Sequence, residues 1–109
     1  MPASISNFSK SDVKKLFNNV KKRLSASGLV FIAAPKSGAT AKILVITSRK
    51  SGSAAKRNRI RRRLKSVFFE HKLFLKTFDI AVIVKKEGID NSFKRLEQIL
   101  TEFVNATNK

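Results

Sequence analysis

From Val13 to Phe69 the chain carries 16 lysines and arginines and not one acidic residue. Unpaired charge cannot be buried cheaply, so each helix in this stretch must split into an apolar side and a cationic side. The densest part, Arg49 to Lys65, holds nine basic residues in 17. A solvated helix face ordinarily mixes both signs. Here the local partners are missing. Six of the seven acids lie from Glu70 onward and can pair only a few of these cations; the net charge of +17 over 109 residues needs an external polyanion. Nucleic acid, an anionic membrane surface and an acidic protein are the candidate classes.

Length and a 42% hydrophobic content fit one globular domain over residues 1–109, with tails expected at 1–8 and 106–109. There is no cysteine, which excludes disulfides, thiolate metal sites and a cysteine nucleophile. His71 is the only histidine, which argues against a histidine zinc site or a Ser-His-Asp triad. At the end of its helix it is expected to satisfy carbonyls. No apolar run reaches the ~18 residues of a membrane span, and residues 1–12 do not read as a secretory signal. A soluble, cytoplasmic protein is expected.

Periodicity gives the element order. Ser9 and Asp12 have the spacing of a helix start. Val13, Leu16, Phe17, Val20 and Leu24 recur at helical intervals, so a helix is expected from about Ser11 to Arg23. Gly28 breaks it, and a short strand before Gly28 is possible. Residues 29–34 and 42–47 are apolar runs separated by a polar loop, and most simply form an antiparallel hairpin within a sheet covered on both faces. Ile60, Leu64, Val67 and Phe68 then form one stripe of a helix over about 54–71, whose opposite side carries Asn58, Arg59, Arg62 and Lys65. Residues 78–84 make a third strand. Asn91 or Ser92 can cap a last helix whose stripe is Phe93, Leu96, Leu100, Phe103 and Val104. The order α-β-β-α-β-α, with the last two strands parallel, predicts an α+β fold: a small mixed sheet with helices packed on it.

The string Lys56-Arg57-Asn58-Arg59-Ile60-Arg61-Arg62-Arg63-Leu64 resembles the signature helix of the bacterial ribonuclease P protein component. That family has an R-N-R box followed by an apolar residue, further basics and a leucine. The preceding strand end, Thr47-Ser48-Arg49-Lys50, and the short Gly-containing loop after it are similar in kind and spacing. The resemblance covers roughly Asp12 to Val104. It implies a left-handed β-α-β crossover, against the usual right-handed rule. It also implies a role as partner of a large catalytic RNA that removes the 5′ leader of precursor tRNA, with Mg2+ held mainly by that RNA. No protein partner is implied.

Carried over position by position, the resemblance places Lys56, Arg57, Asn58, Arg59, Arg61, Arg62 and Lys65 on the RNA, together with Arg49 and Lys50. It places Phe17 and Phe31 in a cleft for the leader, between the sheet and the first helix. Where the family often has a second aromatic, one turn before Phe17, this chain has Val13. The chain has no Tyr or Trp, so leader stacking is expected to be weaker. On residue type alone, Phe17 and Phe31 would be ordinary core, as Phe74, Phe78, Phe93 and Phe103 are expected to be. Phe69 lies off the apolar stripe, and no role is assigned to it.

Two-metal phosphodiester hydrolysis needs several converging acids. Asp12, Glu70, Asp79, Glu87, Asp90, Glu97 and Glu102 are scattered along the chain, so no catalytic residue and no metal ligand is expected in the polypeptide. A ribosomal protein or RNA chaperone fits the charge and the fold class equally well. Only the box in its strand-loop context argues against it. A helix-turn-helix DNA reader would need another helix, not a strand, before the basic one. Three strands argue against a membrane-surface helix.

Overall fold

In the computed structural model the two seven-residue strands, both almost wholly buried, occupy the centre of a four-stranded sheet. Residues 10–36 and 38–107 are described. The elements are α1 (Lys10–Asn18), β1 (Lys22–Ala26), β2 (Leu29–Pro35), β3 (Ile43–Ile46), α2 (Ala54–Glu70), β4 (Phe78–Val84) and α3 (Phe93–Thr107). Short 3₁₀ turns lie at Arg49–Ser51, Leu73–Leu75 and Lys86–Gly88. The tail expected over 1–8 and the cap expected from Ser9 lie outside the described residues. Of the expected C-terminal tail, Ala106 and Thr107 are the last residues of α3, and the final two residues lie outside. No described helix is long and apolar enough to cross a membrane.

The sheet order is β1-β2-β4-β3. β2 runs antiparallel to both β1 and β4, and β3 is parallel to β4. The expected hairpin between residues 29–34 and 42–47 does not form, because β4 lies between them. The reason is burial. β2 and β4 are apolar on both faces and need neighbours on both edges. The shorter β3 and the exposed β1 serve as edge strands.

The first helix stops at Asn18, five residues before its expected end. Asn19 donates its side-chain amide to the Lys15 carbonyl at 2.7 Å, and its backbone N–H to Leu16. Lys21 N–H then bonds Ala33 O at 2.8 Å, and the chain enters β1. Lys22, Arg23 and Leu24 are therefore strand residues. The short strand before Gly28 is real. Ser27 and Gly28 both have positive φ, as primed hairpin turns require.

Alternation sorts the sheet into two faces. Leu29, Phe31 and Ala33 of β2 join Ile80, Val82 and Val84 of β4 and Ile43 and Val45 of β3 in the main core, under α2 and α3. There Ile60, Leu64, Val67 and Phe68 meet Leu96, Ile99, Leu100, Phe103 and Val104. Phe74 and Phe93 pack against the same core half-buried. Ser92 caps α3, accepting from Arg95 N–H at 3.1 Å. The second face carries Val30, Ile32, Ala34 and Ala81, with Leu16 of α1 laid over them. Leu44, Ile46 and Ile83 stay half-buried there, so this face is only partly covered. Asp79, 1% exposed, accepts from Lys42 N–H at 2.8 Å and Lys42 O accepts from Ile80 N–H at 2.9 Å. These contacts set the start of β3 against β4.

Candidate nucleic-acid interface

Ser53 starts α2: its side chain accepts from Lys56 N–H, and its extended backbone turns the chain into the helix. The 3₁₀ turn just before is held from inside. Ser51 is buried and donates its hydroxyl to Val84 O at 2.8 Å, at the end of β4. Arg49 and Lys50 are thereby presented, exposed, beside the first turn of α2. Nothing in the sequence marked Ser51 as more than a loop residue.

With Ile60, Leu64, Val67 and Phe68 buried, the cations of α2 fall into two groups. On one side lie Lys56, Arg59 and Arg63, at intervals of three and four. Arg59 pairs with Asp90 at 3.1 Å, Lys56 reaches the same carboxylate at 3.5 Å, and Arg63 donates to Asn91 O at 2.8 Å. The C-terminal third thus neutralises this side in part. On the other side lie Arg57, Arg61 and Lys65, with Asn58 and Arg62 beside them. None of these five has an acidic partner among the described residues.

Arg61 organises that free side. One Nη donates to Thr47 Oγ1 at the end of β3, the other to Asn58 Oδ1, both at 2.9 Å. Because the guanidinium consumes the amide's acceptor end, Asn58 turns its NH2 outward as a donor. The box therefore displays donors only, which suits phosphate oxygens. The Nε atoms of Arg57 and Arg59 are buried without a hydrogen-bond partner, so the protein leaves part of both guanidinium donor sets unused. The two interspersed arginines thus differ in role: Arg62 is exposed and unpaired, whereas Arg59 is shared with Asp90.

The second expected site is changed by the register. Phe31 is completely buried on the α2–α3 side, with its ring 5.6 Å from that of Phe103. It belongs to the main core and cannot line a cleft under α1. Alternation along β2 directs Phe31 one way and its neighbours Val30 and Ile32 the other. Phe17 is 39% exposed and Val13 half-buried, both on α1 next to the buried Leu16. The half-buried Leu44, Ile46 and Ile83 supply the uncovered apolar floor on this face, and Arg23 shares it through its pairing with Ile32. Sequence reading missed these floor residues because their facing depends on the strand order.

His71 does not cap its helix with its side chain; Nε2 lies 2.8 Å from Glu97 Oε2 and ties α2 to α3. With Asp79 engaged by Lys42, Asp90 by Arg59 and Lys56, and Glu97 by His71, the carboxylates are dispersed. Among the described residues no three acids or histidines lie together as metal ligands.

The sequence matches the family model described as Ribonuclease P over residues 7–108. The chain belongs to the ribonuclease P protein family. Its fold is that of solved ribonuclease P proteins. The Staphylococcus aureus protein, with its structure at 2.0 Å, is 18% identical, with a TM-score of 0.77 and 94% of each chain covered. The Thermotoga maritima protein is 23% identical, with a TM-score of 0.73, over 92% of this chain and 96% of that one. A search of curated proteins finds no match. As a ribonuclease P protein the chain is a subunit of a ribonucleoprotein endoribonuclease, and its partner is RNA. The reading as a ribosomal protein or chaperone is set aside.

A ribonuclease P protein charged to +17 repels itself when no RNA is present. Sulfate, bound by the folded cationic surface and not by the unfolded chain, should raise its melting temperature by about 5 °C or more as sulfate reaches many times its dissociation constant. A thermal melt unchanged between chloride and sulfate at equal ionic strength would contradict this.

Proposed function

We propose that the chain clamps two RNAs: the catalytic RNA of ribonuclease P on the free side of α2, and the 5′ leader of precursor tRNA on the partly covered sheet face beside α1. The observation that carries the first half is the row Asn58, Arg61, Arg62 and Lys65, none with an acidic partner among the described residues, continued by Arg49 and Lys50. The second half rests on the exposed Phe17 above an apolar floor that α1 leaves open. The clamp screens phosphate repulsion between the RNAs and fixes the scissile bond relative to the catalytic RNA. The dispersed carboxylates do not fit a resident metal, so Mg2+ is assigned to the RNA, and the polypeptide's part is binding and positioning. Such RNA processing belongs to the cytoplasm.

Reconstitution tests this reading. Added to the catalytic RNA at low Mg2+, the chain should stimulate leader removal from a precursor tRNA. Phe17→Ala should weaken binding of leader-bearing substrate by about fivefold, the lower end of an aromatic–base contact, and leave binding of leaderless tRNA unchanged. Absence of any stimulation would overturn the proposal. Equal loss on both substrates would remove Phe17 from the leader site.

A further inference from the structure

One large apolar residue on the RNA-facing side of α2 is exposed. Phe69 follows Asn58, Arg62 and Lys65 at intervals of four, three and four, so the four side chains form one row opposite Ile60, Leu64 and Val67. Phe69 is 38% exposed. Below it lies Phe74 from the 3₁₀ turn after the helix, nearly parallel, with ring centroids 5.7 Å apart and an interplanar angle of 27°. Phe74 is itself half-buried against the main core, and its carbonyl holds Ala41 N–H at 3.0 Å. The outer ring is thus backed by a ring fixed to the body of the protein, while more than a third of Phe69 remains exposed to solvent.

We propose that Phe69, backed by Phe74, is a stacking platform for an unpaired base of the RNA that lies along α2. This rests on the reading of α2 as the RNA-binding side and adds to it a base contact that is not electrostatic. The charge around the ring selects the occupant. Lys65 stands one turn before Phe69 and the exposed Lys72 three residues after it. A second copy of a +17 chain would be repelled from this patch, whereas single-stranded RNA brings phosphates for the lysines and an apolar face for the ring. A ring already supported from below loses little freedom when a base covers it.

The test uses the full chain and two probes, single-stranded oligoadenylate and an abasic backbone of the same length. Phe69→Leu keeps the apolar contact with Phe74 but removes the π-face, and a thermal melt checks that the fold survives. It should bind oligoadenylate about fivefold more weakly or worse at every salt concentration, with an unchanged salt slope, and bind the abasic strand as the parent does. Phe69→Trp supplies the only tryptophan in the chain, and its fluorescence should be quenched by oligoadenylate and not by the abasic strand. Arg62→Ala should instead reduce the salt slope on both probes. If Arg62→Ala acts so and both Phe69 variants match the parent, the platform is overturned while the RNA-binding reading stands. If neither position matters, both fall. Quenching of Phe69→Trp on concentrating the protein without RNA would assign the patch to self-association and also overturn the platform.

Discussion

The triple variant Arg61→Ala, Arg62→Ala, Lys65→Ala is expected to bind the catalytic RNA about 100-fold more weakly at ~0.1 M salt. Each phosphate contact contributes roughly 0.7 to 0.9 to the slope of log affinity against log salt. Losing three contacts should therefore flatten that slope by about 2 and cost about two decades near 0.1 M. Stability should move the other way or hardly at all. Alanine is a better helix former, and Arg61 and Lys65 repel each other across one turn. The loss to set against this is the Arg61 contact with Thr47 and Asn58, worth about 1 kcal/mol in a partly buried setting. Weaker binding by a chain that melts no earlier cannot be ascribed to unfolding. The matched control is Lys56→Ala, Arg59→Ala on the other side of the helix, where Asp90 already competes for both cations. It should cost less affinity and less slope. Filter binding across a salt series measures both, and an unchanged slope in the triple variant would count against the interface.

Gly28→Ala should destabilise the fold by about 3 kcal/mol or more, a large share of the roughly 5–15 kcal/mol that holds such a domain. Two effects add. The residue has φ +76, a conformation that costs an L residue about 1 kcal/mol or more. Its Cβ would also stand 2.4 Å from Gly88 N and 2.6 Å from Glu87 C, both backbone atoms that no side-chain rotation can relieve. The crossing is reciprocal, since a Cβ on Gly88 would meet Gly28 O at 2.5 Å. This is where the β1–β2 turn docks on the β4–α3 connection, with Lys85 N–H on Gly28 O and the Asn91 amide on Ser27 O. The same connection carries Asp90 to Arg59, so the lesion should loosen the paired side of α2 as well. A drop of about 12 °C or more in melting temperature is expected. Gly38→Ala is the contrast: its nearest neighbour is the flexible Lys42 side chain at 3.8 Å, and it should melt within a degree or two of the parent. Equal melting of the two variants would refute the account of the crossing.

Elements with a clear local period were legible before the structure. The buried stripes of α2 and α3 fall where helical spacing puts them, and Ser92 caps α3 as its position suggests. The first helix misled because Val20 and Leu24 happen to continue its spacing. The amide of Asn19 and the pull of the Ala33 carbonyl end it sooner. Phe31 misled for a different reason. A strand that is apolar at every position has no alternation to show which face a residue takes. Its side was decided by pairing with Val82 on β4 and by the ring of Phe103.

The cationic side of α2 was determined by sequence alone, because charge, the apolar stripe and the R-N-R box all act within a few turns of one helix. Tertiary structure decided which of those cations are free. Asp90, 31 residues from Arg59, removes one side, and Thr47, 14 residues from Arg61, orients the other. It also decided that β4 separates β2 from β3, and so which apolar residues lie open beside α1. Local spacing can state which residues share a helix face. Which strand takes the centre of a sheet depends on how much surface every other strand must bury, and that balance exists only once the whole chain has come together.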